Sequence, residues 1–291
     1  MIIVKIIGGL GNQMFQYAFA RSISLRNNIE FRIDITGFKT YKLREYKLNN
    51  LSICENIASL IELQKFNDRA PNKFKLLLNL EKIKIYYKRS RIVEKYPFKF
   101  DQNMFHVKDN SYLIGYWQNE NYFKKYRDII LKDFTVKAPL SGKNYEVSHM
   151  ISEANSVSIH IRRGDYANDN STNMTHGLCD INYYIRSIHL INQNVCSPYF
   201  FIFSDDIDWA KENLKGIKQI YFVEHNSEEN DYEDMRLMSL CNHNIIANSS
   251  FSWWGAWLNT NPSKIVIAPQ KWFNDPNRSA DGIIPAEWLK I

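Results

Sequence analysis

Apolar runs and amphipathic stretches alternate along most of the chain. Residues 1–7 are almost entirely apolar and read as a strand. A glycine-rich turn over 8–11 leads into a helical pattern at 12–26, and a further strand is expected at 30–35. Helix-like stretches follow at 55–66 and 73–88, then a strand at 112–116 and a helix at 119–132. The second half is more regular. Strands at 157–162, 199–203, 218–223, 244–247 and 264–268 alternate with helices at 181–193, 207–214, 230–240 and 252–259. That alternation predicts an α/β fold of parallel sheets covered by helices on both faces. The polar stretch TVKAPLSGKN, with Pro139 and Gly142, predicts a boundary around 135–145, between domains at 1–140 and 150–291.

Composition bounds the setting. The chain has 291 residues, 45% hydrophobic and 23% charged, ordinary values for a soluble globular protein. No apolar run reaches the roughly 18 residues that span a bilayer. The N-terminus lacks the basic start and small-residue cleavage site of a signal peptide. Cys54, Cys179, Cys196 and Cys241 show no CxxC spacing, so neither a zinc site nor a disulfide framework is expected. These features predict a cytoplasmic protein.

Charge is divided unevenly. Residues 1–150 hold 26 Lys and Arg against 14 Asp and Glu, and residues 151–291 hold 11 against 17. The basic excess peaks between Lys65 and Lys108. Within it, KFKLLLNLEKIKIYYK (73–88) reads either as a core-facing helix with a solvated lysine face or as a helix that docks on an anionic membrane. No nucleic-acid-binding motif is present.

Three strands of the second half end in reactive polar clusters: SIHIRRGD, YFFIFSDD and NIIANSSFSWWGAW. Ligands of open parallel sheets bind outside the carboxyl ends of strands. A buried strand cannot simply continue into Arg162 and Arg163, because an unpaired guanidinium is costly to bury. The arginines therefore emerge into solvent or meet an anion; the planar fork of Arg162 suits a phosphate, and its plain reading is a buried partner for an acid. A helix starting near Ser252 would offer free N–H groups and a positive dipole end, with the hydroxyls of Ser249, Ser250 and Ser252 as further donors. Asn248, Ser249 and Ser250 also read as a plain N-cap. Asp206 and Asp208 read equally as favourable acids at a helix start. The run Asp205-Asp206-Ile207-Asp208 closes no His/Asp ligand set, so no metal is expected. Near the N-terminus, GGLGNQ fits neither the dinucleotide fingerprint, which would need glycine where Met14 stands, nor a P-loop. Gly9 and Gly11 would still let backbone approach a ligand, with Asn12 and Gln13 as neutral donors. Met14, Phe15, Tyr17, Ala18 and Phe19 read as core.

GGLGNQMFQYAFARSI, SIHIRRGDY, FIFSDDIDWAKENL and DMRLMSLCNHNIIANSSFSWWGAWLN together resemble the bacterial α-1,2-fucosyltransferases of glycosyltransferase family 11. HxRRGD alone is a moderate signal, and SSFSWWGAW beside it makes the match specific. Residues 36–110 and 167–180 carry no matching pattern. The resemblance implies a GT-B arrangement, two Rossmann-like domains with parallel sheets facing a cleft. The acceptor side would lie in 1–140 and the GDP-fucose site in 150–291. It implies inverting transfer of L-fucose from GDP-β-L-fucose to the 2-hydroxyl of a terminal β-galactoside, in O-antigen or other surface-glycan synthesis, with no cofactor. It places Arg162 on the β-phosphate, and His160 with Asp205, or Asp206, near the guanine and ribose. Ser250 and Phe251 would lie by the pyrophosphate, with Gly11 and Asn12 closing from the other domain.

Breaking the bond to GDP builds negative charge on the β-phosphate, which arginine and helix N–H groups can stabilise. The acceptor hydroxyl needs a base, for which Asp165 is the candidate and Asp169 the second. Related core fucosyltransferases have a glutamate ten residues after the histidine, where this chain has Asn170, and Asp165 could instead pair with Arg163. A nucleotide-sugar-binding regulatory protein and a membrane-docking scaffold are the readings from other classes. If the lysine-rich stretch docks on membrane, the protein should bind vesicles containing anionic lipid and be released by salt. Equal binding to neutral vesicles, or binding to neither, would leave the core-helix reading.

Overall fold

The computed structural model describes residues 1–40, 43–66, 84–164, 177–275 and 282–291. The chain divides between Thr135 and Val136 into two compact units, with Gly282 and Ile283 returning to the first. Residues 141–149, outside both domains of the sequence reading, belong to the second unit.

The first unit is built on β1 (Ile2–Lys5), β2 (Phe31–Asp34), β3 (Arg91–Val93) and β4 (Ser111–Ile114), in the order β2-β1-β4-β3 with every pairing parallel. Strand β3 escaped the sequence reading because three residues with one buried side chain carry no periodic signal. Helix α1 (Leu10–Asn27) starts two residues earlier than expected and ends at Asn28, whose φ of 50° is a left-handed cap. Met14, Phe15, Tyr17, Ala18 and Phe19 are fully buried, as the sequence implied. Tyr17 ties α1 to the rest: its hydroxyl donates to Asp133 Oδ2 (2.8 Å) and accepts from the Cys54 amide (2.9 Å).

Two expected helices are cut short. Only Leu60–Gln64 (α2) forms within 55–66, behind a capping box of Ser59 and Glu62, because Ile57 makes a parallel bridge to Ile33. Of 119–132, only the stretch from Arg127 is α-helical (α3, Arg127–Asp133). Before it come 3₁₀ turns at Glu120–Tyr122 and Lys124–Tyr126. The Asn119 side chain accepts from the Asn121 amide (3.0 Å), a local bond that competes with the helical one. The lysine-rich stretch 73–88 lies outside the described residues up to 83, and its end is a 3₁₀ turn, Tyr86–Lys88.

The second unit opens with α4 (Gly142–Ser152), a helix the sequence reading took for linker. Strands β5 (Asn155–Ile161), β6 (Pro198–Ser204), β7 (Ile220–Val223), β8 (His243–Ile245), β9 (Val266–Ala268) and β10 (Leu289–Lys290) follow. They make one parallel sheet in the order β10-β9-β8-β5-β6-β7. Between them lie α5 (Ile181–Asn194), α6 (Ile207–Leu214), α7 (Asp231–Leu240) and α8 (Ser250–Leu258). Helix α5 buries Tyr183, Tyr184, Ser187, Ile188 and Ile191, one helical face, against the sheet.

Helix α8 is different. Trp253, Trp254 and Trp257 are all buried, so it has no solvated side, and Gly255 brings it close to α7, where a Cβ would stand 3.0 Å from Met238. Asn259 at its end donates to Cys241 O (2.7 Å) and Asn244 Oδ1 (2.8 Å). The Lys264 ammonium donates to Ala256 O (2.6 Å) and Asn259 O (2.8 Å), a cation on the negative end of the helix. These bonds anchor the carboxyl end of α8.

Candidate functional site

The strand order of the second sheet reverses between β5 and β8. From β5 the chain steps outward through β6 and β7, and from β8 it steps the other way through β9 and β10. Such a reversal opens a crevice at the carboxyl ends of the two central strands. His160 and Arg162 stand at the end of β5, and Ser249 to Phe251 follow β8. The His160 and Phe251 rings are 5.5 Å apart across the crevice, which brings two of the sequence clusters together.

The third cluster holds the arginines. Arg162 Nη1 meets Asp205 Oδ2 at 3.0 Å, and the Arg163 amide donates to Asp205 Oδ1 at 2.7 Å. Asp205, just past β6, thus locks both the side chain and the backbone at the end of β5. Arg163 Nε donates to Asp206 Oδ2 (3.1 Å), and its guanidinium lies 4.2 Å from the Trp209 ring centre. Asp206 also caps α6, accepting from the Trp209 amide (3.3 Å). The helix-start reading therefore holds for Asp206, and the emerging arginines do meet acids. A Cβ at Gly164 would stand 2.7 Å from Asp205 Oδ2, so the carboxylate needs a glycine there.

Helix α8 starts at Ser250, two residues before the expected position, with Ser249 as N-cap accepting from the Phe251 amide (3.3 Å). Ser250 stands half-buried in the first turn. Ser252 turns inward: fully buried, its hydroxyl donates to Ala247 O and Ser249 O. It is not a ligand donor. Asn248 is spent on the loops behind the helix, donating to Gly177 O (3.2 Å) and Trp272 O (3.1 Å).

His160 is buried, and its Nδ1 has no hydrogen-bond partner among the described residues. Burial pushes the imidazole down to about 4, with Asp205 pulling it up and Arg162 pushing it further down. The ring is therefore neutral beside the guanidinium at physiological pH.

In the first unit, Gly8 (φ +80°) makes the turn after β1, and a Cβ there would stand 2.8 Å from Asn12 Nδ2. The conformational demand falls on Gly8, whereas Gly11 is buried inside the first turn of α1. Gln13 is structural: its Nε2 donates to Gly8 O and Glu45 O, and its Oε1 accepts from the Lys47 amide. Asn12 Oδ1 accepts from Gln118 Nε2 (2.7 Å). Gln118 was missed in the sequence, although GYWQ after a predicted strand is the same kind of strand-end cluster. Asp165 and Asp169 lie outside the described residues. Among the described residues no three His, Cys, Asp or Glu side chains gather to hold a metal ion, and no helix is long and apolar enough to cross a membrane.

The chain belongs to glycosyltransferase family 11, whose model matches residues 1–291. It is 37% identical to an α-1,2-colitosyltransferase of Escherichia coli, over 100% of this chain and 99% of the relative. It is 36% identical to the Escherichia coli O-antigen biosynthesis glycosyltransferase WbnK, over 94% and 95%. A galactoside 2-α-L-fucosyltransferase, SEC1 of Bos taurus, matches at 27% over 50% of this chain and 41% of its own. A solved structure of an Arabidopsis thaliana FUT1 mutant in complex with GDP shares the fold, with a TM-score of 0.50 at 12% identity over 91% of this chain and 69% of that one. The fold is thus that of the GT-B fucosyltransferases, and the protein is a glycosyltransferase.

The neutral His160 predicts an acid limb of stability. Unfolded histidine takes a proton near pH 6.5, while the folded ring resists until about pH 4. Between these values the unfolded state binds more protons, so stability falls as pH falls. Asp234, pushed up to about 7 by burial, works the opposite way. In His160→Gln, which leaves Asp234 in place, denaturant unfolding should lose stability less steeply from pH 6.5 to 4 than in the parent. Parallel pH profiles would show that His160 is not buried neutral.

Proposed function

We propose that the chain is an inverting galactoside 2-α-L-fucosyltransferase, moving L-fucose from GDP-β-L-fucose to the 2-hydroxyl of a terminal β-galactoside in O-antigen synthesis. The observation that carries this is the β5/β8 crevice, with Arg162 held at its mouth by Asp205 at 3.0 Å beside the first turn of α8. An acid-held guanidinium and a helix N-terminus can stabilise the charge left on GDP without a metal or cofactor. His160, with Asp205 or Asp206, would lie near the guanine and ribose, and Ser249, Ser250 and Phe251 by the diphosphate. Gly11 and Asn12 would also bind the donor, and Asp165 would take the proton from the acceptor hydroxyl. The family's α-1,2 relatives support the linkage, and single displacement on a β-linked donor gives the α product. Contact with an anionic membrane belongs to the same reading, because Lys88, Lys95, Lys99 and Lys108 have no acid partner among the described residues.

A second donor has a specific observation in its favour, the 37% identity to a colitosyltransferase. Colitose is fucose without its 3-hydroxyl. A site that hydrogen-bonds this hydroxyl would reject GDP-colitose by up to about 10⁴–10⁵, whereas an apolar site would discriminate far less against the added hydroxyl.

The test is incubation with each donor and a β-galactoside such as lactose, after chelation of metal, with proton NMR of the product. An α-linked fucosyl group on the galactose 2-hydroxyl is expected. A different position or a β linkage would overturn the linkage or the single displacement, and GDP binding without GDP release would favour a regulatory protein. Activity only with added Mg²⁺ or Mn²⁺ would overturn the metal-free mechanism.

Arg162→Ala should lower turnover by about 10²–10³, the usual effect of removing a donor aimed at developing charge. Arg162→Lys should not restore it, since the planar fork is lost. Near-normal turnover in a folded Arg162→Ala protein would remove Arg162 from the mechanism.

A further inference from the structure

In the first unit, three neighbouring strands send polar groups to the same sheet edge. Asn12 lies in the first turn of the helix after β1, Glu94 directly follows β3, and Gly115 to Gln118 directly follow β4. All three strands are parallel, so this is the carboxyl edge, where such sheets bind ligands.

The loop after β4 is held in an unusual shape. Trp117 has φ +54°, a conformation rare for a bulky side chain. Strain of this kind persists only where the surroundings enforce it, and it collects at functional sites. Two devices enforce it here. The Trp117 ring is 1% exposed and stacked on Phe19, with centroids 4.2 Å apart. The Glu94 carboxylate takes both amides of the turn, from Tyr116 to Oε2 (2.7 Å) and from Trp117 to Oε1 (3.2 Å). Gly115 makes room for this clasp, since a Cβ there would stand 2.4 Å from Glu94 Cβ and 2.9 Å from the Trp117 ring. With Trp117 turned into the core, Gln118 reaches Asn12 at 2.7 Å, and Tyr116 is left 40% exposed at the ligand edge.

We propose that Tyr116 is the surface on which the acceptor sugar stacks, and that Glu94 is the residue that positions it. Sugar sites combine an aromatic face with a few placed polar groups. β-Galactose suits such a face, because its C3, C4 and C5 hydrogens form one apolar patch. The Asn12–Gln118 pair supplies amide groups on the same edge. The assignment of a galactoside rests on the proposed function. The stacking role rests on the geometry of this loop.

The experiment compares Tyr116→Ala, Tyr116→Phe and Glu94→Gln with the parent, measuring acceptor KM, kcat and GDP affinity. Tyr116→Ala should raise acceptor KM roughly tenfold, the scale of one aromatic contact. Tyr116→Phe keeps the ring and should stay within about twofold of the parent. Glu94→Gln can accept fewer amides and should raise acceptor KM with GDP affinity unchanged. An unchanged KM in Tyr116→Ala, or equal losses in the Ala and Phe variants, would overturn the stacking role. Loss of GDP affinity in Glu94→Gln would overturn the positioning role. Saturation-transfer NMR with methyl β-galactoside gives a readout without turnover. A parent that binds the galactoside yet transfers no sugar would sink the proposed reaction and leave the stacking role to be judged by loss of signal in Tyr116→Ala. A parent that neither binds nor transfers would overturn both.

Discussion

A parallel strand cannot reach its neighbour through a tight turn, and each crossover must carry the chain back along the full length of the sheet. In both sheets every described pairing is parallel, so the segments leaving the strands all emerge at one edge. Residues far apart in the chain therefore converge without any contact arranged for the purpose. In the second unit the reversal between β5 and β8 opens the crevice, with Arg162 on one side and the first turn of α8 on the other. In the first unit the same constraint gathers Asn12, Glu94 and Gln118.

Convergence creates an electrostatic problem, and the pairing pattern is its solution. Arg162 and Arg163 are only partly exposed, and a guanidinium removed from water without a partner is strongly unfavourable. Asp205 and Asp206 supply the partners, and each does a second task, Asp205 by holding the Arg163 amide and Asp206 by capping α6. Such double use leaves little freedom, which keeps the Arg162 fork oriented. His160 escapes the problem by staying neutral, since burial and the adjacent guanidinium both disfavour its charged form.

Much of this was legible in the chain. The alternation of apolar runs with amphipathic stretches predicted the strands and helices between residues 157 and 268 nearly to their ends, because long regular elements carry strong periodicity. The clusters at 160–163, 205–208 and 248–252 were visible as reactive groups at strand ends. Short elements were not. Strand β3 is held by its neighbour β4 and not by any pattern of its own, and the expected helix at 119–132 gave way to local side-chain bonds. Ser252 looked like a ligand donor and proved to be spent on backbone carbonyls, while Glu94 went unnoticed because the three-residue strand before it carries no periodic signal.

The sequence alone determined which residue types stand at the ends of which strands. Periodicity and side-chain chemistry are local properties, written in neighbouring positions. It also determined the family, through motifs whose spacing is a property of the chain. Only the tertiary structure decided which cluster faces which. Strand order is set by non-local pairing, so that β8 lies beside β5 although more than eighty residues separate Ile159 from its partner Ile245. The tertiary structure decided too that Arg162 would meet Asp205, that His160 would lose water and with it its charge, and that a buried tryptophan would force a tyrosine outward.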